Sequence, residues 1–338
     1  MLECDHIKPT ANPEEYNIME KKYYAGLDIG GTKCACIIGS DNGEKLEILR
    51  REAIPTDKTV SAETMLSRLD EILAPLLAQY PVEAVGISCG GPLDSVGGII
   101  QSPPNLPGWD DVHICEYYSS RHNLPVRLQN DANACGLAEW MYGAGRGTRS
   151  MVFCTMGTGF GAGLVLDGKL YAGVTDCAGE IGHIRLTDEG PVGYGKRGTV
   201  EGYCSGGGIA QVGRSAAMEL LQVGKKCGFC SSIAELDGIT AKSIGIAAEN
   251  GDATAIEVYR YVGHMLGRAM ALVIDLINPE MIVIGSVFVR SEEFIRGEMQ
   301  RVIDAECLAS SARACRIVPA KLGEALGDFA AISVAAMK

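Results

Sequence analysis

Tyr23-Tyr24-Ala25-Gly26-Leu27-Asp28-Ile29-Gly30-Gly31-Thr32-Lys33-Cys34-Ala35-Cys36-Ile37-Ile38-Gly39 decides the fold. Residues 23–29 and 34–39 are apolar runs of strand length, and two adjacent glycines between them supply a tight bend. Asp41-Asn42-Gly43 marks a turn, and residues 45–54 alternate in polarity as a third strand. Three antiparallel strands with short connections therefore open the chain. A helix is expected over 60–79, where Leu66, Leu69, Ile72, Leu73, Leu76 and Leu77 fall on one stripe. A buried strand at 84–88, an irregular loop to Asp110, a short helix and a strand at 126–128 complete a first α/β unit.

The pattern then restarts. A helix is expected over 132–142, then a strand at 151–156, a glycine-rich bend at 157–163, a strand resuming at 164–166 and another at 169–172. Helices at 207–223, 241–249 and 253–277 lead to a strand at 281–285. A helix at 292–305, a strand at 316–319 and an alanine-rich helix at 323–337 close the chain. Two hairpin-first units in succession read as a duplication of architecture with little residue identity, and a ligand cleft is expected between them.

The chain has 338 residues, 47% of them hydrophobic, with 43 glycines, which describes a packed protein large enough for two domains. The net charge of -12 argues against non-specific nucleic-acid binding, which needs a basic footprint. The longest apolar stretches, 269–277 and 281–289, fall short of the roughly 20 residues that cross a bilayer. Residues 1–22 are polar and lack the apolar centre of a secretory signal. Thirteen cysteines without framework spacing point to reduced thiols in a cytoplasm, and the pair Cys227 and Cys230 has no second pair to complete a zinc site.

Gln129-Asn130-Asp131-Ala132-Asn133 lies where a short strand runs into a helix. A carboxylate there faces a cleft on fixed backbone, so Asp131 is the candidate base, with Asn130 and Asn133 as hydrogen-bonding neighbours; helix capping is the competing reading. In the first bend, Gly30 and Gly31 bring backbone N–H groups close to a phosphate, Asp28 is placed to hold magnesium through water, and Thr32 and Lys33 reach phosphate oxygens. No Walker P-loop occurs. The second bend repeats the device with Gly157, Thr158, Gly159 and Gly161, so the pair can grip one nucleotide from both sides. Ser102-Pro103-Pro104-Asn105-Leu106-Pro107-Gly108-Trp109 sets Asn105 on a rigid polar wall suited to hydroxyls. Glu180 and His183, three apart, suit vicinal hydroxyls, a metal or a surface pair.

Asp28–Lys33, Gly90–Asp94, Ser102–Trp109, Asn130–Ala134, Gly157–Gly163, Gly179–His183 and the late Leu326-Gly327-Asp328-Phe329-Ala330-Ala331 stand in the order found in the ROK family, which the chain resembles over about 24–336. That family comprises bacterial sugar kinases, including glucokinases and N-acylhexosamine kinases, and related repressors. The resemblance implies an α/β, two-lobed actin-like ATPase (ribonuclease H-like) fold. The lobes are expected at 23–130 with the C-terminal helix 323–338, and at 131–322, after a polar extension at 1–22. It implies ATP and Mg2+, and a hexose phosphorylated at O6, glucose favoured over an N-acylhexosamine. It also implies Asp131 as base, a sugar site of Gly91, Asn105, Asn130, Glu180, His183 and Glu201, Gly285 near adenosine, and a homodimer or homotetramer. A ROK repressor would need a helix-turn-helix domain, and 22 residues before Tyr23 are too few for one.

One departure stands out. Where the family carries a Cys-x-Cys-Gly-x-x-Gly-Cys-x-Glu run that binds zinc, this chain has Gly193-Tyr194-Gly195-Lys196-Arg197-Gly198-Thr199-Val200-Glu201. The three thiols are absent, and His183 alone cannot build a tetrahedral site, so no structural zinc is expected. The loop must then be held by hydrogen bonds and packing.

Overall fold

The apolar run at the start of the chain becomes the central strand of a sheet. The computed structural model describes residues 21–337, so most of the expected extension lies outside the described residues. β1 (Lys22–Ile29) pairs antiparallel with β2 (Lys33–Asp41), and β2 with β3 (Leu46–Pro55). On its other side β1 pairs parallel with β4 (Val82–Cys89), and β4 with β7 (Val126–Asn130). Cover on both faces explains why β1 and β4 read as nearly unbroken apolar runs. The edge strand β3 instead shows Arg50, Arg51 and Glu52 to solvent.

α1 (Ala62–Gln79) and α2 (Ile114–His122) cover one face, packing Met65, Leu69 and Tyr118 against Leu27 and Ile87. The irregular loop contains a two-rung hairpin, β5 (Leu93–Asp94) with β6 (Ile99–Ile100), and is anchored by the buried Leu106 and Trp109.

The second sheet repeats the first. β8 (Met151–Met156) pairs antiparallel with β9 (Phe160–Leu166), which pairs with β10 (Lys169–Tyr171). β8 also runs parallel to β13 (Met281–Ser286), and β13 to β14 (Arg316–Pro319). The hairpin β11 (Val192–Gly193) with β12 (Lys196–Arg197) and the short α4 (Val200–Cys204) precede α5 (Gly206–Gln222), α6 (Ala241–Glu249) and α7 (Ala253–Ile277). α8 (Val287–Glu306) and α9 (Ala309–Ala314) flank the far strands. The elements missing from the sequence reading are the two-residue strands β5, β6, β11 and β12 and the helices α4 and α9, of five and six residues, too short for a repeating apolar stripe.

Two expectations are corrected. The helix expected at 292–305 begins at Val287, and a non-helical Ser291 (φ -124) divides it just before the expected start. The bend expected at 157–163 is confined to 157–159, because Gly161 and Gly163 belong to β9. They are small for a packing reason: a Cβ on Gly163 would lie 2.5 Å from the Ala132 carbonyl of the helix laid across it.

That helix is α3 (Asp131–Tyr142), which rests on β8 and β9, while α10 (Leu326–Ala336) rests on the first sheet. Ala331, Ile332 and Ala335 meet Tyr24, Ala35 and Ile37. Ala330 and Val334 meet Ala134, Leu137 and Ala138 of α3. A helix pressed between a sheet and another helix has room only for small side chains, hence its alanines. Sheet, α10, α3 and sheet thus form the two-lobed actin-like ATPase fold. No helix among the described residues is long and apolar enough to cross a membrane.

Candidate active site

Asn130 ends β7 and Asp131 begins α3. Asn130 is extended and caps the helix, its Oδ1 accepting the Ala132 N–H at 2.9 Å. Capping is therefore provided one residue before Asp131, whose Oδ1 takes the same N–H at 2.8 Å. Asn133 is not a neighbour in the cleft: it is buried, donates to Gln129 Oε1 at 3.1 Å, and leaves its Oδ1 without a partner among the described residues.

Asn130 and Asp131 form one wall of a cavity of about 370 Å³. Gly157, Thr158, Gly159 and Gly161 form another, and Asp176, Glu180 and Glu201 complete it. Asp131 is reached by water through the mouth yet closely ringed by protein. That burial raises its carboxyl above the usual carboxylate range, the Ala132 N–H opposes the rise, and the Glu180 charge adds to it.

The first-lobe residues meet around this wall. The Gly30 N–H donates to the Lys33 carbonyl at 3.1 Å and closes the first bend, leaving Thr32 and Lys33 exposed. Gly31 lies under the proline-rich loop, where a Cβ would stand 2.7 Å from the Asn105 carbonyl. Gly90 faces the Asn105 side chain, and a Cβ on Gly91 would be 3.2 Å from Asn130 Nδ2. Asp28, at the end of β1, is raised to about 6 by burial and then by the nearby Asp328, against the pull of Lys33, with Asp131 adding a further like charge. Asp328, in the first turn of α10, is itself held by Arg51, whose Nε reaches its two oxygens at 2.9 and 3.0 Å.

The second bend is built differently. The Gly157 N–H donates to Gly159 O at 3.1 Å, and the Phe160 N–H donates to Glu201 Oε2 at 3.1 Å. The Gly206 N–H, at the start of α5, donates to Gly157 O at 2.7 Å, so the bend lies against the positive end of a 17-residue helix. Gly285 is buried against the Phe153 ring and Ala320, so only its backbone is available to a ligand. Ser286 after it holds a left-handed φ of 61.

Glu180 lines the cavity and His183 does not; His183 Nε2 lies 3.8 Å from Glu180 Oε2, with the Tyr194 ring 5.0 Å away. The thiol-free loop is pinned as expected. Gln211 accepts the Val192 N–H at 2.9 Å and donates to its carbonyl at 2.8 Å, and Thr199 Oγ caps α4 through the Gly202 N–H at 3.0 Å. A Cβ on Gly193 would stand 2.6 Å from the Gly202 nitrogen, so the close packing of strand on helix occupies the space a cysteine side chain would need. Among the described residues no group of three His, Cys, Asp or Glu is placed to hold a metal ion.

Asp176 escaped the sequence reading. It sits in an unpatterned loop four residues before Glu180, where its φ is 56, and it lines the cavity. Its partner Ser95 lies 81 residues earlier, a pairing that no local pattern reveals.

The profile of the ROK family matches residues 24–337. A glucokinase of Halalkalibacterium halodurans is 31% identical, over 91% of this chain and 93% of the relative. An N-acetylmannosamine kinase of Escherichia coli O157:H7 is 32% identical, over 77% and 81%. The crystal structure of a ROK family glucokinase from Streptomyces griseus, in complex with glucose and AMPPNP, superposes with a TM-score of 0.71 at 29% identity, covering 93% of this chain and 99% of that one.

Proposed function

The chain belongs to the ROK family, and on that premise we propose a hexokinase-type phosphotransferase that moves the terminal phosphoryl group of ATP to O6 of glucose. One observation carries this reading: Asp131 shares a small cavity with a glycine bend at a helix N-terminus and with Glu180 and Glu201. The volume suits a monosaccharide beside a phosphate tail.

Asp131 accepts the proton of the attacking hydroxyl as the oxygen–phosphorus bond forms, a contribution of typically 10²–10⁴-fold in rate. A raised carboxyl is the better base for an alcohol, and burial raises that of Asp131. Asn130, Asn105, Glu180, Glu201 and the backbone at Gly91 orient the sugar, and His183, outside the cavity, stands beside Glu180. The bend at Gly30, Gly31, Thr32 and Lys33 and the bend at Gly157, Thr158 and Gly159 hold the phosphates in line. The backbone at Gly285 lies toward the adenosine. Asp28 suits Mg2+, being a hard oxygen donor beside the first bend. When bound, the ion neutralises charge on the phosphate oxygens. The lobe of residues 23–130 with α10 closes against 131–322, and closure keeps water, a competing acceptor, from the phosphoryl group.

A second reading is supported by the acetylmannosamine kinase relative: an N-acylhexosamine as acceptor. A coupled ADP-release assay over glucose, mannose, N-acetylglucosamine and N-acetylmannosamine tests both. Turnover highest on glucose supports the first reading, preference for an N-acyl sugar the second, and no turnover on any sugar refutes both. Metal analysis of the purified chain is expected to find no stoichiometric zinc.

The oligomer proposed is a homodimer or homotetramer in the cytoplasm. The exposed Leu272 and Leu276 on α7 share one surface groove with Arg185, Arg268, Asp275 and Glu306. Such a face complements its own copy across a two-fold axis. Sedimentation should show Leu276→Arg shifting the protein to monomer.

A further inference from the structure

Resting on the kinase reading, we propose that Ser95 and Asp176 are positioning residues that fasten the two lobes across the mouth of the sugar cavity once the sugar is in place. Ser95 stands in the turn of the β5–β6 hairpin, on the first lobe. Asp176 belongs to the second lobe, between β10 and Glu180. One carboxylate takes both donors of the serine: Oδ2 accepts the Ser95 N–H at 2.8 Å and Oδ1 accepts the Ser95 hydroxyl at 2.6 Å. The hairpin presents that serine in a fixed pose, because Asp94 Oδ1 accepts the N–H groups of Val96 at 3.1 Å and Gly97 at 2.8 Å.

Position gives the contact its meaning. Asp176 lines the cavity that holds Asp131, so the fastening lies at the edge of the site rather than on a remote surface. Polar ties between the lobes also lie along α3, where Asn133 donates to Gln129 at its start, and at its far end Tyr142 donates to Asp41 at 2.8 Å and Arg146 to the Glu44 carbonyl at 2.7 Å. The molecule is therefore joined permanently through α3 and α10 and fastened separately at the mouth. Val96 is 97% exposed and Val174 102% exposed on either side of the contact, so water can compete for these hydrogen bonds and the fastening is reversible. Both oxygens of Asp176 are engaged by Ser95, which assigns the acid to closure. Glu180 is carried on the same loop, so fastening also sets its place against Asp131.

Steady-state kinetics on Ser95→Ala, Asp176→Ala and the double variant test this, with glucose and ATP as substrates. Asp176→Ala should raise the KM for glucose about tenfold, the usual scale for losing charge-assisted hydrogen bonds. Ser95→Ala, which keeps its N–H, should raise it severalfold, the double variant should add little to Asp176→Ala, and kcat should stay within about threefold. Ser95→Thr, which keeps the hydroxyl, should restore the wild-type KM. Hydrogen exchange supplies a readout that a merely structural role would not move. Amides of 94–97 should gain protection on glucose addition in the wild type and not in Asp176→Ala. The proposal is overturned if Ser95→Ala leaves KM unchanged while Asp176→Ala raises it, which would make Asp176 a direct sugar ligand. It is equally overturned if a wild-type chain that phosphorylates glucose shows the same protection with and without it. A wild-type chain active on no sugar would overturn the kinase reading and this inference together.

Discussion

The two glycine bends occupy the same place in two sheets of the same strand order, yet they are equipped differently. The bend after β1 carries its own charges, Asp28 before it and Lys33 after it. The bend after β8 carries none and borrows Glu201 from α4, which accepts the Phe160 N–H, and the N-terminus of α5. At Gly31 the first bend lies under backbone, the Asn105 carbonyl; at Gly159 the second meets only the far end of the Glu201 side chain. The repeated architecture keeps the path of the chain and divides the equipment, a side that carries charged side chains opposite a side built from backbone dipoles.

Asp131 stands between the bends, and its loss should be felt most. Asp131→Asn is expected to lower kcat by about 10³-fold while leaving glucose affinity, measured by titration calorimetry, nearly unchanged. Near-normal turnover would remove it from the mechanism. Next in size is a direct contest between the bends. Gly31→Ala drives a Cβ into the backbone of the Asn105 loop and should cost about 1–3 kcal/mol in thermal unfolding, with a clear fall in kcat/KM. Gly159→Ala meets only a flexible carboxylate 2.8 Å away and should cost less than half as much. Equal penalties would erase the distinction between a rigid bend and a yielding one.

Proton affinity sharpens the comparison from the cavity side. Below its pKa Asp131 is protonated and accepts no proton, so kcat/KM should rise with pH as it ionises. That acid limb should lie above the ordinary carboxylate range because burial, and then the Glu180 charge, hold the proton on. Glu180→Gln removes the like charge and should move the limb to lower pH; a limb that stays in place would separate the two groups electrostatically. Smallest is the backbone at Ser286, beside the second bend with a left-handed φ of 61. Ser286→Gly should be neutral to stabilising, by up to about 1 kcal/mol, read as a rise in Tm.

Much of this was legible in the residues. Apolar runs and turn residues marked both hairpins, and the strand-to-helix junction marked Asp131, because local chain direction and side-chain chemistry coincide there. Gly161 and Gly163 looked like bend residues since sequence does not reveal that a helix lies across β9. Asn133 looked like a site residue since helical phase alone separates it from Asp131. Ser95 and Asp176 were illegible for a plainer reason: two polar residues in different lobes become a pair only after both sheets have formed.

α10 completes the first sheet, although β7 ends at Asn130 and α10 begins only at Leu326. During synthesis the apolar patch of Tyr24, Ala35 and Ile37 must therefore wait uncovered while the entire second lobe is made, on the order of ten to forty seconds at ribosomal speeds. The lobe that begins first is thus the last to finish.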